Sequence, residues 1–112
     1  MVEGRIEFAS DRPHLESADV HVWIEDTTYA DAPAIRVFHQ RLPGLSYSGE
    51  PEGIPFRLDY NHVRRPARTY TIAVLIDLDG DGKPGRGDYV SVQAVSVPEE
   101  QQIAHVRVQR IA

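Results

Sequence analysis

Hydrophobic and polar residues alternate with a period of two along most of this chain. Val2-Glu-Gly-Arg-Ile-Glu-Phe8 places Ile6 and Phe8 on one face. Val20, Val22 and Ile24 alternate with His21, Trp23 and Glu25, and Ile35 and Val37 alternate with Arg36 and Phe38. Ile54, Phe56, Leu58 and Tyr60 alternate with Pro55, Arg57 and Asp59. Val90, Val92 and Ala94 then alternate with Tyr89, Ser91 and Gln93, and Ala104, Val106 and Val108 with His105, Arg107 and Gln109. Successive side chains of a strand point to opposite faces, so this pattern predicts strands buried on one side. Thr69-Tyr-Thr-Ile-Ala-Val-Leu-Ile76 is apolar on both faces and reads as a central strand.

These segments make seven candidate strands. Breakers separate them: Asp11-Arg12-Pro13, Asp31-Ala32-Pro33, Pro43-Gly44, Gly49 to Gly53, Arg65-Pro66, Gly80 to Gly87, and Pro98. No window carries a 3.6-residue stripe, and at most Tyr60 to Arg65 makes one helical turn. The expected fold is all-β: a seven-stranded immunoglobulin-like β-sandwich, with a small β-barrel as the alternative. The 112 residues fit a single domain spanning 1–112.

Composition narrows the function classes. The net charge of −5 gives no field that would draw in a polyanion, and the sole local basic cluster is Arg64, Arg65 and Arg68. Nucleic acid is therefore not an expected partner. There are no cysteines, which excludes disulfides, thiol nucleophiles and cysteine-based zinc sites. No segment approaches the ~20 apolar residues of a membrane span. As written, the start has neither an apolar targeting core nor a lipid-acceptor cysteine. The expectation is a cytoplasmic chain, or a periplasmic one if the start has been trimmed.

The densest candidate chemistry lies at residues 77–88, Asp-Leu-Asp-Gly-Asp-Gly-Lys-Pro-Gly-Arg-Gly-Asp. Asp77, Asp79 and Asp81 stand at alternate positions, Gly82 follows, and Asp88 closes the twelve-residue run. That is the spacing of a D-x-D-x-D-G calcium loop. Calcium takes six to eight hard oxygens, and carboxylates on alternate residues of a tight loop can aim at one centre. Gly82 permits the sharp turn, Lys83 is expected to offer a backbone carbonyl, and Asp88 the last carboxylate. Position twelve is Asp where an EF-hand has the longer Glu, and strands flank the loop, so a structural calcium is expected and no sensor-like opening. A hairpin connection built from common turn residues is the plain alternative.

Other chemistry is sparse. None of the five histidines forms an H-x-H or H-x-x-x-H pair, although His21 and His39 lie on strands adjacent in sequence. There is no G-x-S-x-G elbow and no phosphate-cradling loop before a helix, so no enzyme activity is expected. Trp23 and Phe38 fall opposite the Val/Ile positions of their strands. If those positions form the core, the two rings face outward as a partner-binding patch for a protein, or as a carbohydrate- or peptide-binding platform.

Two motifs resemble a known family. Ala18-Asp-Val-His-Val-Trp-Ile-Glu-Asp-Thr-Thr-Tyr-Ala-Asp-Ala-Pro-Ala34 resembles the strand and Ala-Asp-Ala-Pro turn of the YbaY/YscW-type domain. Ile54-Pro-Phe-Arg-Leu-Asp-Tyr60 and Tyr70-Thr-Ile72 resemble its later strands. That family includes small bacterial lipoproteins and pilotin-like accessory proteins of type III secretion. The resemblance spans about residues 2–97 and implies a β-sandwich with a binding or assembly-helper role and no catalytic set.

Overall fold

The computed structural model describes residues 1–9, 11–29, 31–49, 53–61, 65–99 and 101–112. The helical turn envisaged over Tyr60 to Arg65, and with it His62 and Arg64, falls largely outside these residues. Eight strands follow in order: β1 (Val2–Phe8), β2 (His14–Asp26), β3 (Ile35–Ser48), β4 (Ile54–Leu58), β5 (Tyr70–Asp77), β6 (Tyr89–Ser91), β7 (Val95–Ser96) and β8 (Ile103–Arg110).

All eight belong to one sheet, in the order β3-β2-β5-β6-β8-β1-β4, with β7 paired to the far end of β5. The two-layer immunoglobulin-like sandwich is therefore corrected to a single sheet rolled into a nearly closed barrel, and seven strands to eight. The reason lies in β2 and β3, which run for 13 and 14 residues. Their ladder shifts register three times, at Leu15/Ala18, Ala18/Val20 and Ile24/Glu25. Bulges bend and coil a long ribbon, and a coiled ribbon carries the sheet around on itself. Pro43-Gly44, which reads as a break, lies inside β3: Gly44 takes φ 70° and the strand continues past it.

The barrel interior follows the alternation read from the sequence. Val20, Val22 and Ile24 of β2 are buried, as are Ile72, Val74 and Ile76 of β5 and Ala104, Val106 and Val108 of β8. Ile6, Ile54, Phe56 and Leu58 fill the side formed by β1 and β4. Each large apolar side chain removed from water contributes roughly 1.5–3 kcal/mol, so this interior is the principal stabilising term.

The two edge strands meet without a backbone ladder among the described residues. The Gln40 side chain on β3 bridges them instead. Its amide nitrogen donates to the Arg57 carbonyl at 3.2 Å, and its amide oxygen accepts from the Asp59 N–H at 2.9 Å. Phe38 stacks at a tilt on Tyr60 beside this bridge, ring centroids 4.8 Å apart. One side chain thus supplies a donor and an acceptor to an otherwise bare stretch of β4 edge.

Gly53 secures the entry to β4. Its φ is +77°, and a Cβ there would stand 2.0 Å from the Ile6 carbonyl oxygen. Backbone cannot yield to that contact. Gly53→Ala should lower stability by about 2 kcal/mol or more in chemical denaturation, from strain added to a left-handed φ. Gln40→Ala should cost about 1–2 kcal/mol, for two lost hydrogen bonds. It should also speed hydrogen exchange at Asp59 N–H; unchanged exchange there would show that Gln40 does not hold the seam.

Candidate functional site

The acidic loop leaves β5 at Asp77 and enters β6 at Tyr89. Asp77 and Asp88 are buried, while Asp79 and Asp81 are exposed. Burial of two carboxylates demands hydrogen bonds, and each has them. Asp77 accepts from the Gly80 N–H at 3.0 Å and the Gly82 N–H at 2.7 Å. Asp88 accepts from the Leu78 N–H at 2.8 Å and the Gly85 N–H at 3.1 Å. Gly80 and Gly82 take φ of 75° and 74°, and that winding turns both N–H groups inward. The Lys83 N–H donates to Asp81 at 3.0 Å.

The loop is also tied down from outside. Ile111 N–H donates to the Asp88 carbonyl at 2.8 Å, and Gly87 N–H to the Ile111 carbonyl at 2.9 Å. Tyr89, buried next in sequence, donates its hydroxyl to Asp11 at 2.7 Å and meets Phe8 edge to face. Burial, then the Asp11 carboxylate, pushes the Tyr89 hydroxyl up to about 12, so it stays a donor at all ordinary pH.

All four aspartates converge. One carboxylate oxygen from each of Asp77, Asp79, Asp81 and Asp88 lies within 4.8 Å of the others. Oxygens around one calcium at ~2.3–2.6 Å can be no farther apart than about 5 Å, so the set fits a single coordination sphere. The charges interact strongly. The Asp79 carboxyl is pushed up to about 6, first by a proton shared with Asp77, then by desolvation, and further by Asp81 and Asp88. Burial works to raise Asp77 too. The Gly82 N–H, the Asp79 proton and the Gly80 N–H outweigh it and hold that carboxyl below its ordinary value. Below about pH 6 a proton on Asp79 eases the repulsion among these carboxylates.

The two aromatic residues singled out in the sequence do not form one surface. Phe38 pairs with Ile24 across the β2–β3 ladder and packs half-buried against the core beside Tyr60. Trp23 pairs with His39 on the outer face, half-buried, with the Arg36 guanidinium 4.1 Å above its ring. The expectation that both rings face outward is corrected for Phe38. The ladder is the reason: it pairs Phe38 with buried Ile24, so alternation turns Phe38 inward and leaves Val37 exposed, with Ile35 exposed at the start of the strand.

A groove that sequence reading missed opens at the other end of the barrel. β6 joins β5 to β8 through Tyr89, Val90 and Ser91, paired with Arg110, Gln109 and Val108, and the Val92 N–H adds one bond to the Arg107 carbonyl at 3.2 Å. Farther along, β7 pairs with β5, and no ladder joins β7 to β8 among the described residues. The gap is a groove of about 920 Å³ whose apolar lining includes Val2, Tyr70, Val95, Val97 and Ile103. Among the described residues Ile103 to Val106 form no ladder on this side, while β1 pairs with their other edge throughout. The alternation over Tyr89 to Ala94 reads as one strand; β6 covers only Tyr89–Ser91, and a separate short β7 begins at Val95.

No family model matches the sequence, and no curated protein matches it. Among solved structures, the chain is similar to an alternative pilotin from the type II secretion system of Vibrio cholerae. The two are 22% identical over 99% of this chain and 96% of that one, with a TM-score of 0.72. At that identity the likeness is one of fold: an all-β chain with a pilotin-like architecture.

Proposed function

We propose that this chain is a non-enzymatic binding module that serves a bacterial secretion assembly in the manner of a pilotin, close in kind to the YbaY/YscW-type domain. The end-to-end likeness to the Vibrio cholerae pilotin carries the reading. Its partner is a protein segment, and the groove between β7 and β8 supports that choice. An open β8 edge offers backbone donors and acceptors to an extended segment, and the apolar lining offers pockets for alternate side chains.

In this reading a calcium ion braces the acidic loop. Asp77, Asp79, Asp81 and Asp88 supply carboxylate oxygens and Lys83 a main-chain oxygen. The ion's role is structural: it offsets the repulsion among four carboxylates and fixes the connection between β5 and β6. The prepaid hydrogen bonds to Asp77 and Asp88 support this, since they orient two ligands before any cation arrives.

Deletion of the gene should impair secretion by the host, and the purified chain should bind one subunit of that host's secretion apparatus. Ile103→Arg, at an exposed groove position, should weaken that binding by about 1–2 kcal/mol or more. Normal secretion together with no binding to any subunit would overturn the assignment.

Calcium at a hundredfold excess over its dissociation constant should stabilise the chain by about 2.7 kcal/mol. For a chain this size, that raises the melting temperature by on the order of 10 °C. Asp79→Ala should abolish the rise and leave the calcium-free protein folded, because Asp79 is exposed. The pH dependence has a definite sign. The folded Asp79 carboxyl titrates at about 6, above its ordinary 3.8, so protonation favours the calcium-free fold. That contribution is complete below 3.8 and fades as pH rises through about 6. Calcium competes for the same carboxylate, so calorimetry should find its affinity falling as pH drops below about 6.

A further inference from the structure

The outer face of β2 and β3 carries a second group of donors. His21 Nδ1 and His39 Nε2 are 2.9 Å apart. The ring centroids are 5.1 Å apart and the planes differ by 11°. That separation is the N···N distance plus about one ring radius at each end, so the imidazoles lie edge to edge in nearly one plane. One nitrogen carries the proton between them and the other presents its lone pair.

The surroundings hold this arrangement. Trp23 parallels both rings, within 14° of His21 and 15° of His39, with centroids 5.6 and 5.1 Å away. Arg36 lies over the Trp23 ring and also pairs with Glu25 at 3.5 Å. Asp19, the nearest carboxylate along the same face of β2, is engaged by Arg41 through both oxygens at 3.0 and 2.9 Å. Backbone ladders on both sides of β2 fix the strand that carries His21. Desolvation, then the charges of His21 and Arg36, lowers the His39 pKa.

We propose that His21 and His39 form a two-imidazole site for a borderline divalent transition metal, Cu(II) or Ni(II). Two nitrogens 2.9 Å apart, each about 2.0–2.1 Å from an ion, subtend about 90° at that ion. That is the cis angle of tetragonal Cu(II) and Ni(II); a tetrahedral zinc site asks for wider spacing. The ion displaces the shared proton, which moves to the other nitrogen of its own ring, and both rings turn so that their lone pairs aim at the metal. The remaining coordination positions face solvent and are filled by water or by a donor from a partner. The hard-oxygen loop at Asp77 to Asp88 is a separate site with the opposite ligand preference.

Trp23 is the chain's only tryptophan and lies beside both rings, so its fluorescence reports occupancy directly. Micromolar Cu(II) added to the untagged chain should quench it by more than half with one-to-one stoichiometry. The electron paramagnetic resonance spectrum should show coupling to two imidazole nitrogens. His21→Ala and His39→Ala should each weaken quenching by about tenfold or more, because a single imidazole cannot chelate. Asp79→Ala should leave it unchanged. Quenching that persists in both histidine variants, that is lost in Asp79→Ala, or that needs millimolar metal in the wild-type chain would overturn the site.

Discussion

The β2–β5 ladder is the constraint on which the rest depends. Its register pairs Val20 with Ile76, Val22 with Val74 and Ile24 with Ile72, and all six enter the barrel. Side chains alternate with a period of two, so the same register sends His21, Trp23 and Glu25 to the outer face. A one-residue slip of β2 would drive His21, Trp23 and Glu25 inward and expose the three aliphatic side chains of that strand. The ladder also positions Asp77 at its end, opposite Asp19, where the acidic loop begins. Core, outer histidine pair and acidic loop thus share one register.

Barrel closure is achieved with less regular means. A short wedge, β6, spans β5 and β8 at one end and leaves them apart at the other. At the opposite seam, one glutamine amide stands in for a ladder between β3 and β4. Such junctions are the places where a rolled sheet meets itself, and they concentrate exposed backbone groups. An extended segment could use a strand edge without a ladder beside apolar side chains. The groove between β7 and β8 has both.

The two candidate metal centres divide along chemical lines. The loop gathers carboxylate oxygens on a connection wound by glycines, with two of its four acids buried and already hydrogen-bonded. The histidine pair is built on rigid strands and offers nitrogen alone. In the loop, a proton on Asp79 relieves charge repulsion below about pH 6. In the pair, one proton is shared between two imidazole nitrogens.

The chain's own pattern determined the strands, the all-β class, the buried faces of β2, β4, β5 and β8, and the spacing that brings four aspartates together. These are local properties: alternation, turn residues and ligand spacing act within a few positions. Tertiary structure alone decided that the strands form one rolled sheet, since sandwich and barrel need the same alternation and differ only in which strands pair. It decided that Phe38 points inward, because the ladder pairs it with buried Ile24, and that Pro43-Gly44 sits within a strand, because Gly44 could take a left-handed φ without ending the ladder. It decided, too, that His21 and His39 meet and that β7 parts from β8. Each of these depends on residues far apart in the chain being held side by side, and short-range pattern carries no record of that.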